Sequence, residues 1–152
     1  MKVHSAIARL AGGAGAGMVG TVAMSLPMLA ARRLGLTPTL PPEVIVARTT
    51  HLEAGSGRDT VTVAGHLGFG AVCGALLALV PSVRGSRPVS VATGVGAGLT
   101  IWAASYAGWI PALGLLPPPE RDHPGRRRTM VASHVVFGAA TALGIRGIER
   151  RR

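Results

Sequence analysis

Four long stretches of this 152-residue chain contain no Asp, Glu, Lys or Arg, and they constrain its fold more than any other feature. The stretches run over 10–31, 61–83, 88–119 and 129–145. A helix needs roughly 20 apolar residues to cross the hydrocarbon core of a bilayer. A chain of this length lacks the volume to bury four such helices from water, because a small domain leaves much of its surface exposed. The sequence therefore predicts an all-α, polytopic membrane protein with four transmembrane helices in a single membrane domain over 1–152.

Basic residues flank the apolar stretches and do not form one patch. The formal net charge is +10, from 16 Lys and Arg against 6 Asp and Glu. One basic patch would indicate nucleic-acid binding, whereas charges at the ends of apolar segments can meet anionic lipid headgroups. The predicted partners are therefore the lipid bilayer and its anionic headgroups, and not nucleic acid. The flanking residues are Lys2, Arg9, Arg32, Arg33, Arg84, Arg87, Arg126, Arg127, Arg128, Arg150, Arg151 and Arg152.

Internal similarity predicts that the chain is a duplicated helix pair. The matching segments, in the same order, are 15–18 with 96–99, 34–38 with 113–117, and 66–70 with 134–138. A unit of two helices returns the chain to its starting side, so two tandem hairpins form a parallel repeat with a pseudo-two-fold axis along the membrane normal. The repeats cover about 7–83 and 88–148. The repeat places His66 and His134 at one depth, about five residues or roughly 7 Å into their helices.

Small residues recur every four positions and predict close packing between helices. In lipid, helices associate through such small residues because apolar burial no longer drives association. The stripes are Gly12, Ala16 and Gly20; Gly70 and Gly74; Gly94 and Gly98; and Gly138 and Ala142. His66 precedes one stripe by a helical turn and His134 precedes another, so both imidazoles are expected to face other helices. The same stripes can also mediate contacts in a homo-oligomer.

His66 and His134 are the strongest candidates for chemistry, since ionisable groups within a membrane tend to mark functional sites. Imidazole can bond a neighbouring helix's hydroxyl or carbonyl, relay a proton along a solute path, or ligate a metal or haem. All three roles stay open. No cofactor is predicted, and haem is a minor hypothesis because the chain has only two Phe, two Trp and one Tyr.

Other polar side chains within the apolar stretches are candidates to line a path. They are Thr21, Ser25, Trp102 and Ser105. Ser and Thr hydroxyls in membrane helices commonly bond the carbonyl four residues back, and that arrangement is expected here. Trp102 is deep enough to line a cavity, whereas Tyr106 and Trp109 are expected in the aromatic belt at the membrane interface.

Prolines predict the shape of the helix ends. Pro41 and Pro42 precede a helix-compatible run, 43–47, which predicts a short surface helix over the end of the bundle where the histidines lie. Pro27 and Pro111 are expected to kink the first and third helices.

Enzyme motifs are missing, so no catalytic activity and no catalytic residue are predicted. The glycine runs over 12–20 and 94–98 follow no strand and are not phosphate-binding loops. The chain contains no GxSxG or HExxH pattern, and its single cysteine, Cys73, has no partner for a disulfide.

The segment 108–118, followed by Arg121 and the His134-Val135-Val136-Phe137-Gly138 phrase, resembles small bacterial inner-membrane proteins of the YagU-like kind, a group of unknown function. The resemblance implies a polytopic protein of the bacterial inner membrane and supplies no catalytic residue.

The short basic loop with Arg84 and Arg87 predicts that both termini are cytoplasmic.

Three functional hypotheses follow from the sequence. The leading one is a small structural or stress-related membrane component that acts through oligomers. The second is a proton or small-solute transporter or channel subunit that uses His66 and His134. The third is a membrane haem-binding protein.

Overall fold

The computed structural model describes residues 2–50 and 52–151, with side chains from Ser5 onward. About 80% of the chain is helical, and the described residues contain no strand. The main helices are α1 (Lys2–Arg33), α2 (Pro41–Thr50), α3 (Ser56–Leu77), α4 (Arg87–Ala104) and α5 (Pro124–Glu149). The all-α prediction is confirmed.

Four of the helices are long and apolar enough to cross a membrane, as predicted: 5–33, 56–77, 87–112 and 124–149. Large apolar side chains cover their outer faces. Val19 and Leu26 of α1 are 62% and 67% exposed, and Leu76 of α3 is 60% exposed. A soluble protein rarely exposes such continuous apolar surface, and a bilayer would cover it.

The spanning helices pack in the order α3, α1, α5, α4. The three main interfaces join α1 to α3, α1 to α5, and α4 to α5. Helices α1 and α5 therefore form the centre of the bundle, and α3 and α4 lie at the two ends of the row. Only 17% of the apolar stretch of α3 is buried, as expected for a helix at the end of the row.

Glycines bring the backbones of neighbouring helices into contact. A Cβ at Gly13 would lie 2.6 Å from the Gly74 carbonyl oxygen, and a Cβ at Gly17 would overlap the Gly70 carbonyl. The same relation joins α4 to α5, where side chains at Gly94 and Gly98 would overlap the carbonyls of residues 138 and 134. The structure thus places the predicted Gly70, Gly74, Gly94, Gly98 and Gly138 at helix contacts.

Helix α1 uses two glycine faces, whereas the sequence pattern indicated one. Gly20 faces α5, where an added Cβ would lie 3.0 Å from the Phe137 carbonyl oxygen, and Gly13 and Gly17 face α3. Gly12 is only half-buried. The reason is positional: a helix in the middle of a row has a neighbour on each side, and successive residues point about 100° apart.

The two helix pairs pack one turn out of register with each other. Under the predicted duplication Gly17 corresponds to Gly98, and Gly70 corresponds to Gly138. Gly17 contacts the Gly70 carbonyl, but Gly98 contacts the His134 carbonyl, which is one turn earlier in α5. His66 and His134 therefore sit differently against their partner helices, and the duplication itself stays a prediction.

Both histidines lie deeper in their helices than the sequence indicated. His66 is ten residues beyond Ser56, and His134 is ten residues beyond Pro124. This separation is about 15 Å along a helix axis, and not about 7 Å. The difference arises because the charged segments 56–60 and 124–128 belong to the first turns of α3 and α5.

Prolines shape the end of the bundle near α2. Helix α2 begins at Pro41, as predicted, and packs against α3. Helix α4 continues into a π-helical segment, Ser105–Trp109, and a last turn, Ile110–Ala112. Proline lacks an N–H and crowds the preceding turn, and a π-helical segment widens the turn, which accommodates Pro111. Pro27 lies inside α1 without ending it.

Candidate functional site

A cavity of about 280 Å³ lies between the helices and is lined by all four spanning helices and by α2. Its wall is mainly apolar. Representative lining residues are Met24 of α1, Ile45 of α2, His66 and Phe69 of α3, Ile101 of α4 and His134 of α5. Because α3 and α4 are at the ends of the packing row, the row must curve for both to line one cavity. Helix α2 covers this cavity, as its position in the sequence predicted.

The structure places His66 and His134 on the same cavity wall, although they come from different helix pairs. His134 is buried, and its Nδ1 lies 2.8 Å from the Met130 carbonyl oxygen of its own helix. A carbonyl oxygen can only accept, so Nδ1 carries the hydrogen. His66 is half-buried, and no described residue is hydrogen-bonded to its ring. A hydrogen bond from each imidazole to a neighbouring helix, one of the three roles left open by the sequence, is therefore not formed in the described part of the chain.

The hydroxyl groups bond within their own helices, as predicted. Thr21 donates to the Gly17 carbonyl at 2.9 Å, and Ser105 donates to the Ile101 carbonyl at 2.6 Å. Both residues line the cavity. Ser25 donates to the Thr21 carbonyl at 2.9 Å and lies off the cavity wall. The structure thus brings Thr21 and Ser105 together with the histidines and leaves Ser25 apart.

Trp102 and Tyr106 of α4 occupy places that the sequence did not predict. Trp102 is not on the cavity wall and packs against Tyr106, with ring centroids 6.2 Å apart. Trp109 lines the cavity and is 42% exposed, so its place in the interfacial belt stays a prediction. Tyr106 is fully buried, so it is not in an interfacial belt. The π-helical segment between 105 and 109 changes the helical register, and a regular 3.6-residue period cannot predict this change.

A buried polar cluster closes the same end of the bundle. The Tyr106 hydroxyl donates to Asp122 Oδ2 at 2.5 Å, and an Arg126 guanidinium N–H donates to Asp122 Oδ1 at 2.5 Å. Arg126 also donates to the Thr39 hydroxyl at 2.9 Å. Their side chains are nearly inaccessible, at 10% for Arg126 and 3% for Asp122. This cluster ties α4, the start of α5 and the segment before α2 together.

The sequence does not predict this cluster, because Arg126 stands in a basic run that is typical of lipid-headgroup contact. Only Arg127 and Arg128 of that basic run are exposed. The i,i+4 spacing of Asp122 and Arg126 was an available signal, since opposite charges at this spacing commonly pair. The contribution of Tyr106 had no local signal, because it reaches Asp122 across 16 residues of sequence.

Several other flanking arginines also bond within the protein. Arg32 pairs with Glu43 of α2 at 2.6 Å on the surface, and Arg84 donates to the Ala78 carbonyl at 3.0 Å. The predictions for the Lys2 side chain and for Arg152 lie outside the described residues. Headgroup contact therefore stays a prediction for the exposed arginines.

No group of three His, Cys, Asp or Glu within the described residues could hold a metal ion. Comparison with known protein families, with characterised proteins and with solved structures gives no match to this chain.

Thr141 is a sensitive test of the packing between α1 and α5. Its side chain is fully buried, and its hydroxyl has no hydrogen-bond partner among the described residues. Replacing an unpaired buried hydroxyl with a methyl group removes a desolvation penalty of about 1–3 kcal/mol. We therefore expect Thr141→Val to raise the free energy of unfolding, measured by denaturation from mild detergent into sodium dodecyl sulfate.

Thr21→Val is the matched control, because the Thr21 hydroxyl is bonded to the Gly17 carbonyl. This variant should be neutral or mildly destabilising. A larger loss of stability in Thr141→Val than in Thr21→Val would show that the Thr141 hydroxyl has a partner, such as a buried water.

Proposed function

We propose that this chain is a multi-pass protein of the bacterial inner membrane that binds a small, mostly apolar molecule between its helices. It would do so as a subunit of a transporter. The observation that carries the proposal is the common cavity of His66 and His134, lined by residues of all four spanning helices. Ligand sites are typically concave and apolar with a few polar groups, and occupy roughly 300–1,000 Å³. The volume of about 280 Å³ suits a single alkyl chain or a compact molecule.

The cavity favours a binding role over a purely structural one. Glycine contacts bring the backbones of α1 and α3, and of α4 and α5, close together elsewhere in the bundle. The helices of this chain can therefore pack without a gap. A cavity retained beside such tight interfaces is therefore better explained by a ligand than by structural support alone.

Orientation and location are part of the proposal. The short basic loop with Arg84 and Arg87 supports cytoplasmic termini by the positive-inside rule. The resemblance to YagU-like proteins supports the inner membrane. The cavity then lies towards the opposite, periplasmic end, together with α2.

One observation favours haem binding as a second candidate function: two imidazoles, of His66 and His134, line the same cavity. Histidine is an axial ligand of haem iron. Expression with ample haem, followed by purification in detergent, tests it directly. A Soret band that His66→Ala or His134→Ala abolishes would replace our proposal with a haem site.

The binding proposal is tested by filling the cavity. Gly65 lines the cavity, and a Cβ added there meets nothing within 4 Å, so Gly65→Leu can place a side chain in the cavity without a backbone clash. Gly68→Leu is the matched control, because Gly68 is on the same helix, is equally open, and lies off the cavity wall. Both changes make the same gain in helix propensity.

Bromodecane is the probe, and tryptophan fluorescence in lipid nanodiscs is the readout. The chain has two tryptophans, of which Trp109 is on the cavity wall. We expect saturable quenching in the wild type and in Gly68→Leu, and its loss in Gly65→Leu. Quenching that rises linearly in the wild type, or that is equal in both variants, would contradict the proposal.

A further inference from the structure

The hydroxyl groups on the cavity wall have no free hydrogen to donate. The Thr21, Thr62 and Ser105 hydroxyls each donate their single hydrogen to a carbonyl of their own helix, at 2.9, 2.8 and 2.6 Å. A hydroxyl oxygen retains lone pairs after it donates. These three residues therefore present acceptors to a ligand in the cavity.

The histidines add mainly acceptor capacity. Because His134 Nδ1 donates to the Met130 carbonyl, the neutral ring has only Nε2 left, as an acceptor. His66, which is bonded to no described residue, offers one donor and one acceptor. The Trp109 indole adds one donor. Acceptors on the wall thus outnumber donors.

Among the described residues, no charged side chain lines the cavity. The buried charged residues Asp122 and Arg126 are paired with each other. A carboxylate or ammonium group in an apolar site without a counter-ion carries a large desolvation penalty. The cavity therefore disfavours ionised ligands of either sign.

The bilayer is the expected source of the ligand. Helices α3 and α4 both line the cavity, yet they are at opposite ends of the packing row. The other three boundaries between spanning helices are closed by extensive contacts. The cavity is thus best reached from the lipid side, between α3 and α4, while α2 covers its end.

We propose that the cavity takes a neutral aliphatic alcohol from the membrane, with its alkyl chain against the apolar wall and its hydroxyl hydrogen donated to His134 Nε2. This inference rests on the proposed function and adds the chemical class of the ligand. It requires a ligand that donates a hydrogen bond, carries no charge and partitions into lipid.

The test uses four probes with one chain length: ω-bromodecanol, its methyl ether, ω-bromodecanoate and ω-bromodecylamine. Binding is measured in nanodiscs by saturable quenching of tryptophan fluorescence, corrected for the lipid partition of each probe. The alcohol and the ether differ mainly in the hydrogen that only the alcohol donates. We expect the alcohol to bind about fivefold more tightly than the ether, which is the effect of one net hydrogen bond, and more tightly than either ionised probe.

His134→Phe should bring the alcohol-to-ether ratio close to one while the ether still binds. The wild-type ratio needs no variant, so it tests the inference even if His134→Phe fails to fold. Equal binding of alcohol and ether, or tighter binding of the carboxylate or the amine, would overturn the alcohol inference. If Gly65→Leu still blocks those probes, the binding proposal survives, whereas the absence of saturable quenching by any probe would overturn both.

Discussion

Asp122→Ala is expected to lower the free energy of unfolding by about 3–5 kcal/mol, because it leaves a buried guanidinium without its counter-ion. Asp122 accepts from Arg126, from the Tyr106 hydroxyl and from the His123 backbone N–H. Removing the carboxylate breaks all three bonds at once. Denaturation by sodium dodecyl sulfate from mild detergent, followed by circular dichroism, measures the change.

Glu43→Ala is the matched control, because it removes a carboxylate from a similar but exposed ion pair. Arg32 and Glu43 are 2.6 Å apart, with side chains 49% and 39% exposed. Exposed pairs contribute about 0–1 kcal/mol. Equal effects of the two substitutions would show that water reaches the Asp122 cluster, and burial would then not be the source of its importance.

Gly138→Ala is expected to destabilise the α4–α5 interface by about 1–3 kcal/mol, as overpacking does in a well-packed core. A Cβ at Gly138 would overlap the Gly94 carbonyl and lie 3.1 Å from Val95 Cα. These neighbours are backbone atoms, so no side-chain rotation can relieve the overlap. The two helices would have to separate.

Gly96→Ala is the control on α4, since a Cβ there meets nothing within 4 Å. Alanine is favoured over glycine in a helix by about 1 kcal/mol, so this variant should be neutral or stabilised. The same substitution then has opposite signs at two positions. The same denaturation assay measures both, and a stabilised Gly138→Ala protein would show that the α4–α5 backbones are farther apart than the structure places them.

The polar cluster and the cavity are neighbours in the fold. Tyr106 follows Ser105, which lines the cavity, and Arg126 is one helical turn before Met130, which also lines it. The cluster fixes the ends of α4 and α5 at this point. Asp122→Ala should therefore also weaken probe binding, whereas Glu43→Ala should affect it little.

The positions of the helices could be predicted because their signal is local. Charge-free segments, prolines before α2 and hydroxyls four residues from a carbonyl each depend on residues close in sequence. The predicted N-terminal ends of α3 and α5 are wrong, and the reason is also local. Charged residues can continue a helix beyond its apolar part, so the absence of charge does not mark where a helix begins.

Side-chain environments at the candidate site were harder to predict. Arg126 and Tyr106 are residue types that are common at membrane interfaces. Their burial is favourable only because both donate hydrogen bonds to Asp122. Trp109 lines the cavity and Trp102 does not, because the cavity lies against the face of α4 that carries Ile101 and Ser105. Neither effect has a signature in the spacing of residues.

The amino-acid sequence alone predicts an all-helical chain with four apolar helices, small residues for close contact, and two histidines within the apolar segments. The apolar length and the absence of charge suffice for that conclusion, because each helix satisfies its own backbone hydrogen bonds. The packing of the helices shows that α1 uses two glycine faces, that the helix pairs pack one turn apart, and that His66 and His134 line one cavity. Those features depend on which helices are neighbours, and that choice is made by contacts between residues far apart in the chain.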